Sequence, residues 1–253
     1  MPYIKETIIA GDVIEVRKYF SGRIGKRIHR SARIGITSDA QKAVNDRMAE
    51  RKLRGLINAN FSAGDWHLQF TYAGEVPSKE QAKDDLRKAL RELRKIYRKN
   101  GQELKYITVT EYESKRIHHH LLLPKLNIGE IQKAWNHGMV RATALYENDD
   151  YHALAAYLIK ETRRTYNAEN ALYRKRYNAS RNLTKPIIVK ETVKADTWRE
   201  KPTAKKGYTI VSDSVEVYTD IFGRPAQSYR MIRQRGGGKN EKRDNLLLRL
   251  CVL

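Results

Sequence analysis

The chain of 253 residues has a single cysteine, Cys251, so it can hold neither an internal disulfide nor a cysteine-only zinc site. That scarcity fits a reducing, cytoplasmic setting. With 15 glycines and 6 prolines, a collagen-like or low-complexity chain is excluded. Apolar runs are short, and none approaches the roughly 18 residues of a membrane-spanning helix, so no membrane partner is expected. The opening residues Met1, Pro2, Tyr3, Ile4, Lys5 and Glu6 do not form the apolar stretch of a signal peptide. No glycine-rich stretch leads into Lys-Ser or Lys-Thr at P-loop spacing, which argues against a fused ATPase. Acidic residues are also in short supply: 29 Asp plus Glu stand against 50 Lys plus Arg, a net charge of +21. A field of that strength suits a polyanionic partner better than a small metabolite.

What is present is unevenly spread. Residues 1–60 hold 13 basic and 6 acidic residues, a net of +7, and residues 151–210 hold 14 and 5, a net of +9. Residues 61–150 hold 15 and 13, only +2. A near-neutral middle between basic flanks suits a site that binds a cation beside a polyanion. At 40% hydrophobic residues the chain can bury one sizeable core or two small ones.

Residues 3–20 read as strand-rich around a turn at Gly11-Asp12, and residues 38–57 as a helix whose apolar positions Ala43, Met48, Leu53 and Leu56 are loosely periodic. Trp66 to Tyr72 is strand-like. Ser78 with Gln81 three residues on forms a capping box, opening a helix with Ala82, Leu86, Leu90, Leu93 and Tyr97 on one face. Residues 106–113 and 117–123 read as a strand pair. A short helix near 128–136, a strand at 139–146 and a helix over 149–164 follow. This alternation predicts an α+β fold with an antiparallel sheet. Four parts are expected: a strand-rich segment and helix over 1–60, a core over 61–185, a strand-rich extension over 186–234, and a flexible tail over 235–253.

Three consecutive histidines stand in the second strand of the pair. In a strand, His118 and His120 share a face and His119 points away. A two-residue loop at Ser114-Lys115 sets Glu111 opposite His118 on that face, at about 5 Å between Cβ atoms. One carboxylate and two imidazoles suit Mn²⁺, Mg²⁺ or Zn²⁺ polarising a phosphate oxygen. A longer loop would shift the register and make Glu113 the third ligand instead. An isolated His-x-His also serves plain packing.

The helix from Asp150 onward carries two tyrosines. At about 100° per residue, Tyr151, Leu154, Ala155, Leu158 and Ile159 form a core stripe. Tyr157, Lys160 and Arg164 lie opposite, behind the small Ala153. A tyrosine that attacks phosphorus needs an open hydroxyl and nearby positive charge, and Tyr157 has both; taken alone, it also reads as a partly exposed tyrosine beside solvated cations.

In this order, Phe70-Thr71-Tyr72, then Ile117-His118-His119-His120-Leu121-Leu122-Leu123, then Tyr157-Leu158-Ile159-Lys160 resemble the three motifs of HUH endonucleases. They are closest to the rolling-circle replication initiators of phages and plasmids. Tyr177-Asn178-Ala179-Ser180-Arg181-Asn182-Leu183 is similar to the corresponding segment of the filamentous-phage branch. His119 departs from the family pattern, which has a bulky hydrophobe there, and the single tyrosine motif is nearer the one-tyrosine enzymes. The resemblance covers residues 60–185. It implies a five-stranded antiparallel sheet flanked by helices, with the histidines on a central strand and the tyrosine helix beside it. It also implies that Tyr157 cuts single-stranded or hairpin origin DNA, leaving a 5′-phosphotyrosine and a free 3′-OH. His118, His120 and Glu111 would hold Mn²⁺ or Mg²⁺, and Lys160 would steady the developing charge. A host helicase and DNA polymerase are the implied partners, and no energy cofactor is needed.

Arg163, Arg164, Arg174, Lys175, Arg176 and Arg181, interleaved with Tyr166, Tyr173 and Tyr177, suit a DNA-binding surface where cations meet phosphates and rings stack on bases. A solvated basic connection reads equally well. Two rival functions stand beside the initiator: a transposase or mobilisation relaxase of the same chemistry, and a non-catalytic nucleic-acid-binding protein. The last gives no joint role to Glu111, the histidines and Tyr157.

Overall fold

The protein was analysed as a computed structural model, which describes residues 2–20, 39–112, 116–146, 150–162, 175–219 and 223–234. Strands β1 (Tyr3–Ala10) and β2 (Val13–Tyr19) form a hairpin around Gly11-Asp12. Gly11 has φ +59°, and a Cβ there would lie 2.2 Å from the Asn58 carbonyl oxygen. Both the left-handed turn and the close approach of the next helix require glycine at that position.

That helix is α1 (Asp39–Asn60). It is followed by β3 (Trp66–Thr71), α2 (Lys79–Lys99), β4 (Ile107–Glu111), β5 (His118–Leu123), α3 (Ile128–Gln132), β6 (Val140–Ala144) and α4 (His152–Glu161). A two-residue strand β7 (Asn178–Ala179), then β8 (Ile187–Val193), β9 (Tyr208–Ile210), β10 (Glu216–Thr219) and β11 (Pro225–Arg233) complete the described fold. At the α2 start half of the expected capping box forms: the Ser78 hydroxyl accepts the Gln81 backbone N–H at 3.1 Å, while the Gln81 side chain donates to Asp85 at 2.7 Å instead of turning back to Ser78.

The strands build two antiparallel sheets. The central sheet has the order β6-β3-β5-β4-β7, with the histidine strand β5 in the middle, and the fold is α+β as expected. The other sheet has the order β10-β11-β2-β1-β8, with β9 on β11. Residues near the two ends of the chain therefore zip into one sheet. The expected tail over 235–253 lies outside the described residues.

Alternation along the central strands gives each face its own core. Leu121 and Leu123 of β5, with Leu68, Phe70 and Tyr72, pack on Ala82, Leu86, Leu93 and Tyr97 of α2 and on Ile131 and Trp135. On the opposite face Ile107, Val109 and Leu122 meet Leu53 and Ile57 of α1 and Ala155, Leu158 and Ile159 of α4. Burying side chains of this size contributes about 1.5–3 kcal/mol each before entropy is counted.

The far side of α1 is different. Arg51 and Arg54 pair with Glu15 of β2, Arg51 also lies 4.0 Å from Glu6, and Arg54 pairs with Glu50 at 3.0 Å. The terminal sheet thus meets the helices largely through buried, mutually paired charges. This is why α1 reads as only loosely periodic. Leu53 and Ile57 face one layer, Arg51 and Arg54 face another, and Met48 is exposed.

Candidate active site

The register β4 to β5 places Glu111 opposite His118 and Val109 opposite His120, as a tight hairpin predicts. The β3 to β5 register sets Thr71 opposite His118 and Gln69 opposite His120. One face of the sheet therefore carries Glu111, His118, His120, Gln69 and His67 together. His119 faces the other core, where Thr110 Oγ1 lies 2.8 Å from its Nδ1 and the Tyr72 hydroxyl 3.1 Å from its Nε2. This polar staple across β3, β5 and β4 explains how a histidine replaces a hydrophobe there: both ring nitrogens are satisfied. Burial holds its pKa down to about 3, so it stays neutral.

The donor set on the site face fits a divalent ion. The His118 Nδ1–H donates to the Arg116 carbonyl at 3.0 Å, so in the neutral ring Nε2 carries the lone pair. That lone pair faces a Glu111 carboxylate oxygen at 3.0 Å. Two acceptors at that distance repel each other unless a proton or a cation lies between them. His120 is 2% exposed, and its Nε2 has no hydrogen-bond partner. A buried imidazole nitrogen without a partner is costly in a purely structural role and natural in a ligand. Nitrogens of His118 and His120 and a carboxylate oxygen of Glu161 all lie within 4.8 Å of one another. Glu113, the reserve ligand, lies outside the described residues.

The tyrosine helix α4 borders this face. Tyr151, Ala155, Leu158 and Ile159 are buried, and Tyr157 is 41% exposed, the division that the helical spacing predicts. The Tyr157 ring sits edge-on to His120 at 5.4 Å between centroids and to His67 at 6.4 Å. Burial, then the Glu161 and Glu111 carboxylates, raise the phenol pKa above its usual value. A cation among those carboxylates would offset the last two effects. Lys160 is exposed one turn beyond Tyr157.

The start of α4 is firmly held. Tyr151 occupies the left-handed region at φ 50°, a strained geometry for a bulky side chain, worth about 1–3 kcal/mol. Its neighbours hold it there. An Asp150 carboxylate oxygen accepts the His152 backbone N–H at 3.0 Å, the other accepts the Arg230 Nε–H from β11, and the Asp150 carbonyl accepts from Asn58 at 2.9 Å.

Two residues join the site that sequence reasoning missed. Glu161 follows Lys160 and lies four residues from Tyr157, on one helix face with it; that spacing was visible, but beside Lys160 it reads as a solvated surface carboxylate. His67 had no local signal, because its place depends on the pairing of β3 with a strand about 50 residues away.

Of the six expected DNA-binding residues, three are described. Arg163, Arg164 and Arg174 lie outside the described residues, and Lys175 and Arg181 are exposed. Arg176 is 9% exposed and forms an ion pair with Asp46 of α1, so its charge is engaged within the fold.

Residues 65–165, which span β3 through α4 and include every residue gathered at this site, match the family model described as replication-associated protein ORF2/G2P. No curated protein and no solved structure matches the chain. Among the described residues no helix is long and apolar enough to cross a membrane.

Proposed function

We propose that this chain is a replication initiator endonuclease, which nicks and rejoins single-stranded or hairpin origin DNA to start rolling-circle replication. One juxtaposition carries the reading. An accessible tyrosine stands 5.4 Å, ring to ring, from a buried histidine whose Nε2 lacks a partner, within the segment similar to replication-associated proteins.

His118 and His120, with Glu111 and Glu161, are the residues to hold a divalent ion, Mn²⁺ or Mg²⁺. When bound, such an ion polarises a scissile phosphate oxygen as a Lewis acid. The Tyr157 hydroxyl attacks the phosphorus, a phenolic oxygen–phosphorus bond forms, and the bond to the 3′ oxygen breaks. The phenol proton passes to solvent, and the departing 3′ oxygen takes one up to become a 3′-OH. Lys160, one turn along, balances negative charge at the reacting phosphate. Rejoining is the reverse attack by the 3′-OH, and the phosphotyrosine conserves the ester energy. The free 3′-OH serves a host polymerase, with unwinding by a separate helicase.

The strand has an open approach. Arg141 of β6 pairs in register with Gln69 and is exposed on the site face, and Tyr146 just beyond is 72% exposed. The Arg141 guanidinium offers a phosphate contact and the exposed Tyr146 ring a base contact to an unpaired strand. Lys175 and Arg181 extend the positive surface.

The test is covalent capture. A labelled single-stranded origin oligonucleotide incubated with the protein and Mn²⁺ gives an adduct on a denaturing gel. The adduct disappears with EDTA and with Tyr157→Phe, and persists with Tyr151→Phe. An adduct that survives Tyr157→Phe removes the nucleophile assignment, and one that ignores EDTA removes the metal.

A further inference from the structure

His67 belongs to no sequence motif of the site, yet it touches both halves of it. On β3 it lies opposite Leu122 and so is the diagonal neighbour of His120 on the same sheet face. The two rings lie edge to edge, with centroids 5.3 Å apart and planes 23° from parallel. His67 Nε2 is 3.2 Å from His120 Nδ1, and its ring also flanks Tyr157.

Two neutral imidazoles in that contact share one proton, and its location decides what His120 can do. If His67 Nε2–H donates, His120 carries its own proton on Nε2. That atom is buried with no hydrogen-bond partner, so the donor is wasted and Nε2 has no lone pair for an ion. If His120 Nδ1–H donates to His67 Nε2, the buried His120 Nε2 keeps its lone pair, and an ion held with His118 and Glu161 would satisfy it. The second arrangement loses less.

We propose that His67 is a positioning residue that accepts the His120 Nδ1–H, fixing the tautomer and ring plane in which His120 Nε2 can bind the divalent ion. This rests on the reading of His118 and His120 as metal ligands. A ligating histidine commonly donates its other nitrogen to a carboxylate or carbonyl; here a second imidazole takes that part and also forms one wall beside the nucleophile. The role differs from ligation, because His67 Nε2 is turned toward His120 instead of toward the ion.

Two measurements on the full chain decide it. Long-range ¹⁵N–¹H NMR of the metal-free wild type reports the His120 tautomer: a proton on Nδ1 is expected, and a proton on Nε2 overturns the proposal. Calorimetric titration with Mn²⁺ then compares wild type, His67→Leu and His67→Gln. The leucine variant should bind about 10–100-fold more weakly. The glutamine variant, whose amide oxygen can accept the same hydrogen, should recover most of the loss. Equal Mn²⁺ binding by wild type and His67→Leu overturns the proposal. A wild type that takes up no Mn²⁺ overturns the metal reading instead, while the NMR tautomer still judges His67 by itself.

Discussion

At the scale of single residues, the site gathers groups able to bind a cation. His118 Nε2 lies 3.0 Å from a Glu111 oxygen, His120 Nε2 has no hydrogen-bond partner, and His118, His120 and Glu161 form a group within 4.8 Å. Such an arrangement stores electrostatic cost that a cation relieves. Glu161→Gln removes one formal charge and one strong ligand while keeping shape. It should weaken Mn²⁺ binding, read by calorimetry, by at least the 10–100-fold typical of losing an outer-sphere partner. Tyr157→Phe, which deletes no ligand, should leave Mn²⁺ affinity near wild type although it abolishes the covalent adduct. Much of this level was legible in the sequence. The Glu111–His118 pairing follows from a short hairpin, where a few residues fix the register. His67 and Glu161 escaped because one depends on a pairing between distant strands and the other looks like an ordinary helix-surface carboxylate.

At the scale of elements, α4 shows how a short helix is made rigid enough to aim a side chain. Ten residues are too few for a stable isolated helix, so its stability comes from its surroundings. Ala155, Leu158 and Ile159 pack on the central sheet, and Asp150 ties the helix start to α1 and β11. Arg230→Gln should cost about 3–5 kcal/mol in urea unfolding, since it leaves the buried Asp150 carboxylate without its partner. Because Asp150 also caps the His152 N–H, adduct formation should slow in conditions where the variant is still folded. The apolar stripe of α4 could be read from its spacing, whereas the anchoring by Arg230 could not: nothing near residue 150 announces a partner 80 positions on. Likewise α1 resists a periodicity reading because two unlike layers claim its surface, one apolar and one charged.

At the scale of the whole molecule, the layer between the terminal sheet and the helices is held by paired charges and so should respond to acid. Burial works to raise the Glu15 carboxyl, but the Arg54 and Arg51 guanidiniums outweigh it and hold it below its ordinary value of 4.5. A carboxyl depressed in the folded state contributes stability that is complete above that ordinary value and is lost as pH falls through the lowered one. Unfolding free energy should therefore decline in acid below about pH 4.5. Glu15→Gln should flatten that decline while lowering stability at neutral pH by less than the roughly 3–5 kcal/mol of an orphaned buried charge, because Arg54 keeps Glu50 and Arg51 keeps Glu6. Equal pH profiles for variant and wild type would remove Glu15 from this account. The existence of strands at both ends of the chain was evident from composition and turn residues; that they pair with one another was not, because a register between residues some 200 positions apart has no local signature.

That pairing also dictates an order of events during synthesis. Val13 of β2 lies opposite Ile232 of β11, and Ile9 of β1 opposite Ile187 of β8. At about 5–20 residues per second, the first hairpin leaves the ribosome roughly 10–40 s before β11 exists to cover it. The segment from β3 to α4 is contiguous in sequence and can assemble in that interval. The first strands are made early and buried late. Until β11 arrives, Arg230 is missing from the start of the tyrosine helix, so the nascent chain carries Tyr157 before the Asp150–Arg230 pair that anchors its helix.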